Sequence, residues 1–573
     1  MPLFRDEEDD SLDRVVPSIH MALIVALIAL RVACAFAPGY VHPDEWFQSN
    51  EVTASDVFGH STRVPWEYAG DVAPARSVVS AYLSSGVAYA ACALLGIEGS
   101  ARVVTYAPRV TTCVASCVVD LSVRACAREM GVDARRAGCF VASSWVTLVL
   151  LVRPFSNAWE TFTLAACALA AASDCNAIVR CALVGAIGML GVFIRFTSAV
   201  YIAPWALFAV LKARKVSVVA GAFGATAGVV AATATATACV VIDTAYFTKL
   251  KLSDNALWVP SNWVITPWNS LAYNSKTENL SEHGLHPRWL HAAVNGPMMF
   301  GPLWVVLMFR LLRGRISSGV KSPVLLYVLW VTVLLPLVAL SLAPHQEPRF
   351  LAPMLVPVCV LSALYVEDED ADDAKQKKPK RLLVTLWIVF NAVLAALFGV
   401  LHQGGVTSSV RALPQLQPTT GSARALFWKT YTPPRSLLAQ KPHHERIHII
   451  DLAGASASDV RQALLESFFA GSSARCEDAD DACAPADASP SVTIDATFLI
   501  APPLDVEQHL QPLLAGEFTI ERVHSKGPHV SLDHLDARVL RRPVERLRLD
   551  TYRVSMRATT ATTMTSESVS DSA

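Results

Sequence analysis

The feature that most constrains this chain is a series of long apolar segments, most of them near twenty residues in length. An apolar helix of about 20 residues crosses the roughly 30 Å hydrocarbon core of a bilayer. Such segments recur between residues 18 and 402. Only 17% of the residues are charged and 53% are hydrophobic, whereas soluble domains carry about a quarter charged residues. The chain is therefore expected to be a polytopic α-helical membrane protein.

The apolar pattern predicts about eleven transmembrane helices. The first span, 18–38, contains Arg31 and is therefore not expected to be a simple lipid-facing anchor. A cleaved signal peptide is the alternative, although the start of the chain is acidic rather than basic. The run 181–212 is too long for one untilted crossing and holds Arg195, which leaves a tilted helix, a broken helix or two crossings open. The other spans are predicted at 77–97, 103–125, 137–152, 159–174, 215–242, 290–312, 322–343, 350–366 and 381–402.

Loop charges predict the orientation, because basic residues in short loops mark the cytosolic side. Three loops of this kind are Lys212–Lys215, Arg310–Lys321 and Lys375–Arg381. Three elements alternate with them and are predicted to be non-cytosolic: loop 243–289, the turn around His345 and the chain after 402. The large first loop 39–76 falls on the same side if the N-terminus is cytosolic. Between 98 and 180 the loop charges leave the side of each turn open.

The segments outside the apolar series predict the domain boundaries. Residues 1–16 are acidic and predicted to be a disordered cytosolic N-terminus, and the Ser/Thr-rich residues 557–573 are predicted to be a disordered tail. The transmembrane domain would span 17–402. In 403–556, alternating apolar runs such as Ile447–Leu452 predict a small C-terminal α/β domain on the lumenal side.

Charge argues against a nucleic-acid partner, and cysteine usage argues against a zinc site. A formal net charge of −1 argues against a nucleic-acid partner. Eleven of the thirteen cysteines lie in or beside apolar segments and are interpreted as small apolar residues. Cys476 and Cys483 flank an acidic loop and would form a disulfide only in an oxidising compartment. No second Cys or His pair at ligand spacing accompanies them to complete a zinc site.

Dense polar motifs stand out against the apolar background. Val41–Val52 begins where the chain leaves the first span and holds three carboxylates, a histidine and two aromatic residues. Ionisable groups at membrane depth are functional candidates, and the alternative is a solvated loop with an interfacial aromatic belt. The other motifs are loop 243–289 with its continuation to Asn295, the turn Pro344–Phe350 and the smaller polar group Arg153–Glu160.

These motifs indicate group transfer from a lipid-phosphate donor to an alcohol. Arginine and histidine clusters beside a bilayer suit a phosphate head group, because arginine binds phosphate bidentately. A carboxylate facing them suits deprotonation of a hydroxyl. The turn His345–Arg349 could instead be a structural ion-pair turn. His283, His286 and His291 could form a metal site, although their spacing across a proline makes this the weaker interpretation.

Fourteen strings of residues resemble those of one known family, and the match as a whole spans about residue 20 to residue 540. They are His42–Glu45, Phe47–Ser49, Glu51, Trp66–Glu67, Pro74–Ser77, Tyr273–Asn274, Asn279–Leu280, His283–Arg288, His291, Asn295, Gly301–Pro302, Pro344–Leu351, Lys429–Arg435 and Pro528–Asp533. That family is glycosyltransferase family 22, the dolichyl-phosphate-mannose-dependent mannosyltransferases. The resemblance implies the GT-C glycosyltransferase fold in the endoplasmic reticulum (ER) membrane, with the active site on the lumenal side.

Within this family the chain most resembles the members that extend the glycosylphosphatidylinositol (GPI) precursor by a fourth mannose. The implied reaction moves mannose from dolichyl phosphate mannose onto the third mannose of the GPI lipid intermediate, in α-1,2 linkage. The close alternatives are the enzymes that add the third GPI mannose and the N-glycan α-mannosyltransferases. A lipid or sugar transporter is disfavoured by the lack of internal repeats and the gathering of polar motifs on one side. A non-catalytic scaffold would not require so many ionisable loop residues.

The resemblance also implies roles for individual residues. Inversion of the β-linked donor in a single displacement needs one base and a leaving group that departs without an acid. Asp44 is the implied base, and Glu45 is implied to position the acceptor or to share that role. Substrate or phosphate binding is implied for His42, Gln48, Glu67, Arg76, His283, His286, Arg288, His345, Glu347 and Arg349. No cofactor is expected beyond the donor, while metal dependence and protein partners are left open.

Overall fold

The computed structural model describes residues 22–69, 73–281, 284–314, 320–368, 374–418, 421–469, 494–534 and 543–557. Within these residues, seven helices are long and apolar enough to cross a membrane: Ala101–Met130, Ala177–Ile194, Val218–Thr248, His291–Leu312, Pro323–Leu342, Pro348–Val366 and Arg381–Leu401. Ala22–Ala35 and Val78–Leu94 are shorter apolar helices. The predicted terminal segments, apart from Arg557, lie outside the described residues, and so do Cys476 and Cys483.

Shorter helices and turns complete the helical part of the described chain. They are Asp44–Phe47, Asn50–Phe58, Trp66–Tyr68, Ala134–Ser143, Val146–Leu150, Ser156–Ala172, Ser198–Arg214, Asn255–Trp258, Pro260–Asn262, Thr266–Asn274, Thr277–Ser281, Val406–Leu416, Arg435–Leu438, Ala457–Phe469, Pro503–Asp505, Val506–Leu510, Gln511–Leu514 and Pro543–Arg546. Helix lies at every predicted span, but not every such helix is long enough to cross by itself. The number of crossings therefore stays a prediction.

The apolar run 181–212 is broken into two helices, Ala177–Ile194 and Ser198–Arg214. Arg195, at the break, has an extended backbone with φ −151° and ψ 126°. Its guanidinium Nε lies 3.2 Å from Oε2 of the buried Glu160. The interruption thus places an ion pair within the helical bundle. Of the three alternatives that the sequence left open, a single tilted helix is excluded.

A close backbone contact fixes the point where the chain leaves its first helix. The N–H of Gly39 donates to the carbonyl of Gly399 at 2.8 Å, and the N–H of Tyr40 donates to the carbonyl of His402 at 3.0 Å. A Cβ atom at residue 39 would lie 2.3 Å from the carbonyl oxygen of Phe398. Only glycine allows this approach. The Val41–Val52 motif therefore starts against the end of the helix Arg381–Leu401.

The C-terminal region contains a mixed five-stranded sheet. Its strands are β1 Ser422–Phe427, β2 Ile447–Asp451, β3 Ile494–Ala501, β4 Phe518–Lys526 and β5 Leu549–Met556. Their order is β2-β1-β3-β5-β4, with parallel pairing around β1 and antiparallel pairing of β5 with β3 and β4. The predicted α/β character is confirmed, while its domain boundaries and its side of the membrane stay predictions.

Both faces of the sheet are covered. Phe427 and its neighbours pack in one cluster with Tyr40 and Trp46 of the first loop. On the other face, Leu426 packs with Val460 and other side chains of the helix Ala457–Phe469. Alternating side chains along β1 therefore face either the first loop or the helix, as expected for a strand. The sheet is thus packed directly against the first loop.

Polar contacts also tie the C-terminal region to the rest of the chain. The buried carboxylate of Glu51 accepts hydrogen bonds from the N–H of Ser436 at 2.9 Å and from the N–H of Arg63 at 3.0 Å. Gln403 and Val530 pair through their backbones beside the last long helix. The C-terminal region is therefore held against both the first loop and the end of the last long helix.

Candidate active site

The first loop and the turn after the helix Pro323–Leu342 meet through Arg349. Arg349 Nη1 lies 2.7 Å from Asp44 Oδ2, and Arg349 Nε pairs with Glu347 Oε2. The side chain of Arg349 is 11% exposed, whereas those of Asp44 and Glu347 are 23% and 22% exposed. One largely buried guanidinium thus bridges two partly exposed carboxylates. Chemically, a carboxylate can accept a proton and a guanidinium can bind an anion.

Each of these carboxylates also has a histidine neighbour. His345 Nε2 lies 2.9 Å from Glu347 Oε1, and His345 Nδ1 lies 3.1 Å from the carbonyl oxygen of Gly284. On the other side, His42 Nδ1 is 3.4 Å from Asp44 Oδ1. The sequence motifs around residues 42 and 345 therefore form one continuous polar cluster.

The charges in the cluster determine its ionisation. Burial raises the pKa of Asp44, but Arg349 and His42 more than offset this, so the pKa lies well below its usual value. Burial likewise raises the pKa of Glu347, and Arg349 and His345 bring it well below its usual value. Burial lowers the pKa of His345, but its hydrogen bond to Glu347 raises it above 6.5. Asp44 is therefore a carboxylate at neutral pH, and its basicity depends on what else Arg349 binds.

A hydroxyl group links this cluster to two further arginines. Gln48 Nε2 donates to Asp44 Oδ2, and Gln48 Oε1 accepts from Ser156 Oγ at 2.7 Å. Ser156 Oγ in turn accepts from Arg76 Nη1 at 3.2 Å and from Arg195 Nη1 at 3.1 Å. Ser156 therefore fixes Gln48 and two guanidinium groups relative to Asp44. Ser156 lies in the polar group Arg153–Glu160 that the sequence singled out, but its connecting role was not predicted.

Each of the two arginines also has a carboxylate partner. Arg76 Nη2 lies 2.6 Å from Glu67 Oε1. Arg195 Nε lies 3.2 Å from Glu160 Oε2, and Glu160 Oε1 accepts from Thr197 Oγ1 at 2.6 Å. Such ion pairs hold the guanidinium groups in place and leave their remaining N–H groups for other acceptors. Together with Arg349 they bring three guanidinium groups to this part of the site, each paired with a carboxylate.

Glu45 points away from this cluster. Its side chain is fully buried, and Oε1 accepts from Arg109 Nε at 2.8 Å and from Arg109 Nη2 at 2.5 Å. Arg153 Nε lies 3.5 Å from Glu45 Oε2. Successive residues of a helix project about 100° apart, so Asp44 and Glu45 on the helix Asp44–Phe47 face different surroundings. The structure does not bring Glu45 to the open site. Its partner Arg109 was not predicted from the sequence, although a charged residue within the apolar helix Ala101–Met130 is a functional candidate.

Two further histidines of the sequence motifs, His286 and His291, lie beside Gln346 in the turn after the helix Pro323–Leu342. The ring of His286 lies 5.6 Å from the ring of His345, and His286 Nδ1 accepts from the N–H of Gln346 at 3.2 Å. His291 is buried and its Nδ1 lies 3.0 Å from Asn295 Nδ2. His283 lies outside the described residues. In the part of the chain that is described, no group of three or more His, Cys, Asp or Glu side chains is placed to hold a metal ion.

Arg288 is not brought to the carboxylate cluster. Its side chain is exposed, and Nη1 lies 3.4 Å from the carbonyl oxygen of Ser341 at the end of the helix Pro323–Leu342. Of the residues implied by the resemblance, the cluster around Asp44 contains His42, Gln48, His345, Glu347 and Arg349, with Glu67 and Arg76 joined through Ser156 and His286 at its edge.

Comparison with known proteins assigns the chain to a family. Residues 22–440 match the Alg9-like mannosyltransferase family. The chain belongs to that family. It is 31% identical to GPI alpha-1,2-mannosyltransferase 4 of Homo sapiens, over 75% of this chain and 78% of the human protein. It is 30% identical to GPI mannosyltransferase 4 of Emericella nidulans, over 89% of this chain and 92% of the fungal protein.

Membership of this family confirms the resemblance and the fold class expected from the sequence. With the helical membrane region described above, the Alg9-like mannosyltransferase family identifies the chain as a polytopic α-helical GT-C glycosyltransferase. A solved structure of ArnT from Cupriavidus metallidurans bound to undecaprenyl phosphate has 9% sequence identity to this chain and a TM-score of 0.49. The alignment covers 93% of this chain and 97% of that structure.

Proposed function

We propose that this chain transfers mannose from dolichyl phosphate mannose onto the third mannose of the GPI-anchor precursor, in α-1,2 linkage, on the lumenal side of the ER membrane. Relatives that match over most of the chain carry the name GPI mannosyltransferase 4, which supports this acceptor. The observation that carries the proposal is the 2.7 Å contact between Arg349 Nη1 and Asp44 Oδ2. This contact supports the proposal, because a guanidinium suited to phosphate lies beside a carboxylate suited to accept a proton.

The three arginines of the site suit the donor phosphate. Arg349, Arg76 and Arg195 surround the Gln48–Ser156 pair, and guanidinium groups bind phosphate oxygens with directional hydrogen bonds. In the transfer step, negative charge grows on the phosphate as its bond to the sugar breaks. Preorganised cations that stabilise this developing charge lower the barrier. No acid is required, because the lipid phosphate leaves as an anion.

Asp44 is the proposed base. It removes the proton of the acceptor hydroxyl as that oxygen attacks the anomeric carbon from the face opposite the phosphate. The new glycosidic bond forms, the bond to the phosphate oxygen breaks, and the leaving phosphate takes the bonding electron pair. One such displacement converts a β-linked donor into an α-linked product. When the donor phosphate shares Arg349, Asp44 loses part of its ion pair and becomes more basic.

The remaining residues of the cluster have positioning roles in this proposal. Glu347 and His345 orient Arg349, while Gln48 orients Asp44. Glu45 holds the first loop in place through Arg109 and has no direct role in proton transfer.

The course of one helix supports the lumenal orientation. The helix Ser198–Arg214 begins beside Glu160 at the site and ends at the basic residues Lys212–Lys215. At 1.5 Å per residue, its seventeen residues place that basic end about 25 Å from the site. Basic loop residues favour the cytosolic side, which supports a site on the lumenal side.

Reconstituted transfer tests the proposal. Purified protein receives radiolabelled dolichyl phosphate mannose and GPI acceptors with either two or three mannoses. We expect one mannose to be added to the three-mannose acceptor and to be released by an α-1,2-specific mannosidase. Preference for the two-mannose acceptor would indicate third-mannose transfer instead, and uptake without transfer would indicate a transporter.

Matched variants test the assignment of the base. Asp44→Asn should lower the transfer rate by about 10²- to 10⁴-fold, the usual contribution of a general base. Asp56→Asn is the control, since Asp56 is exposed on the next helix and accepts from the hydroxyl of Tyr246 at 2.9 Å. Near-normal transfer by Asp44→Asn would exclude Asp44 as the base.

A further inference from the structure

A fully buried carboxylate outside the carboxylate cluster joins three segments of the chain. Asp243 lies near the C-terminal end of the helix Val218–Thr248, and none of its surface is exposed. Its Oδ1 accepts hydrogen bonds from Ser77 Oγ at 2.9 Å and from the N–H of Val78 at 3.0 Å. Its Oδ2 accepts from Thr266 Oγ1 at 2.7 Å. An ionisable group within a membrane-spanning helix is a functional candidate.

Two of these contacts organise the start of the helix Val78–Leu94. The hydroxyl oxygen of Ser77 accepts from the N–H of Val79 at 3.2 Å, while the hydroxyl hydrogen and the first N–H of the helix go to Asp243. The N–H groups in the first turn of a helix have no acceptor within that helix. Ser77 and Asp243 therefore cap this helix together. The residue immediately before the cap is Arg76.

The backbone is held on the other side of Arg76 as well. Asn269 Nδ2 donates to the carbonyl oxygen of Pro74 at 3.0 Å. Between these two attachments, Arg76 Nη1 donates to Ser156 Oγ at 3.2 Å and Nη2 donates to Glu67 Oε1 at 2.6 Å. The side chain of Arg76 is only 12% exposed. The position of this guanidinium group in the site therefore depends on how its backbone is anchored.

The partners of Asp243 are buried with it. Ser77, Val78 and Thr266 are each at most 2% exposed. Without the carboxylate, two hydroxyl groups and one N–H would lose their acceptor in a place that water does not reach. Leaving a buried donor unpaired costs free energy, so the segment would shift to regain hydrogen bonds. Such a shift would carry Arg76 with it.

We propose that Asp243 is a positioning residue that holds Arg76 in place to bind the donor phosphate. This inference rests on the proposed function, in which Arg76 is one of the three arginines that bind that phosphate. Asp243 acts through the backbone beside Arg76 and does not touch the substrate. Through Thr266, the same carboxylate makes donor binding depend on the loop 243–289.

Binding of a short-chain polyprenyl phosphate to the purified full-length protein tests this role. Asp243→Ala should weaken the affinity per folded molecule by about tenfold or more, as expected for the loss of a hydrogen bond to a charged group. Asp243→Asn should restore most of the affinity, because its amide oxygen can accept from Ser77 and its NH2 group can donate to the hydroxyl of Thr266. Asp254→Ala is the control, since Asp254 accepts from the N–H of Lys251 within its own turn.

A double-mutant cycle distinguishes positioning of Arg76 from general support of the fold. In Arg76→Gln protein, Asp243→Ala should weaken binding by less than about a further twofold, because the guanidinium group that it positions is already absent. Thr266→Val removes one of the three hydrogen bonds and should give a loss of about two- to tenfold with the same dependence on Arg76; it decides the matter if Asp243→Ala does not fold. Equal losses in both backgrounds, or an unchanged affinity, would overturn the inference.

Comparison with reconstituted transfer separates this inference from the proposed function. Transfer to a different acceptor, together with a loss of binding that depends on Arg76, would refute the proposed acceptor and support the role of Asp243. Transfer to the three-mannose acceptor with an unchanged affinity in Asp243→Ala would support the proposed function and refute the role of Asp243. Wild-type protein that binds no polyprenyl phosphate would overturn both.

Discussion

Replacement of Glu45 by glutamine distinguishes the roles of the two adjacent carboxylates of the first loop, Asp44 and Glu45. Glu45 is fully buried and accepts two hydrogen bonds from Arg109, while Arg153 lies 3.5 Å from its second oxygen. Glutamine keeps the shape of the side chain and removes the negative charge. Arg109 and Arg153 then remain buried without a carboxylate to compensate them.

The expected effect is a large loss of stability. Breaking a buried ion pair by removing one partner costs about 3–5 kcal/mol, because an uncompensated charge stays buried. The upper part of this range applies here, since Glu45 faces two guanidinium groups. Some of the cost is offset by the carbonyl oxygens of Ala37 and Val149, which accept from Arg109 and Arg153 at 2.8 and 2.7 Å. We therefore expect a loss of about 3 kcal/mol or more.

The assay compares unfolding in detergent micelles with transfer activity per folded molecule. Glu45→Gln should be destabilised but retain transfer within a few-fold, whereas Asp44→Asn should be folded and inactive. In a double-mutant cycle with Arg109→Gln, the two stability losses should be non-additive by about 0.5–3 kcal/mol. A stable Glu45→Gln protein without activity would refute this reasoning and support a catalytic role for Glu45.

Three further predictions follow from the contacts around the site. Arg349→Lys should raise the donor KM at least about tenfold, because one ammonium group cannot bridge Asp44 and Glu347 in the geometry of a guanidinium; an unchanged donor KM in transfer assays would contradict the phosphate-binding role. The stabilising contribution of His345 is fully present below pH 6.5 and is lost as pH rises through its raised pKa, while that of Glu347 is present above pH 4.5 and lost as pH falls through its lowered pKa. The difference in unfolding free energy between wild type and His345→Gln should therefore be larger at pH 6 than at pH 9, and an equal difference would count against the ion pair. Gly39→Ala should cost about 1–3 kcal/mol or more, because its Cβ would overlap backbone atoms of Phe398 and Gly399 that cannot move independently; in the same unfolding assay, a wild-type stability would show that this contact is loose.

Under the proposed function, the ion pair between Asp44 and Arg349 would link the basicity of Asp44 to donor binding. In the absence of donor, the ion pair lowers the pKa of Asp44 and makes it a weak base. In the proposed mechanism, an anionic donor would compete for Arg349, so Asp44 would become more basic only when the donor is bound.

The sequence by itself determined the class of the protein and predicted that its polar motifs share one side of the membrane. Both inferences use local properties, the length of apolar segments and the charge of the loops between them, so neither requires knowledge of packing. The meeting of the motifs around residues 44 and 345 agrees with the predicted shared side. The strings of family residues pointed to Asp44 and Arg349 without showing that they touch.

The tertiary structure alone decided what each charged side chain contacts. Asp44 and Glu45 are neighbours in sequence, yet one faces the open site and the other is sealed against Arg109, because helix rotation and remote packing set the direction of each side chain. At the helix break, Arg195 pairs with Glu160 of another helix, a partner that the sequence does not identify. The contact of Tyr431 with His402 joins the C-terminal region to the end of the last long helix, an interaction that no local sequence pattern specifies.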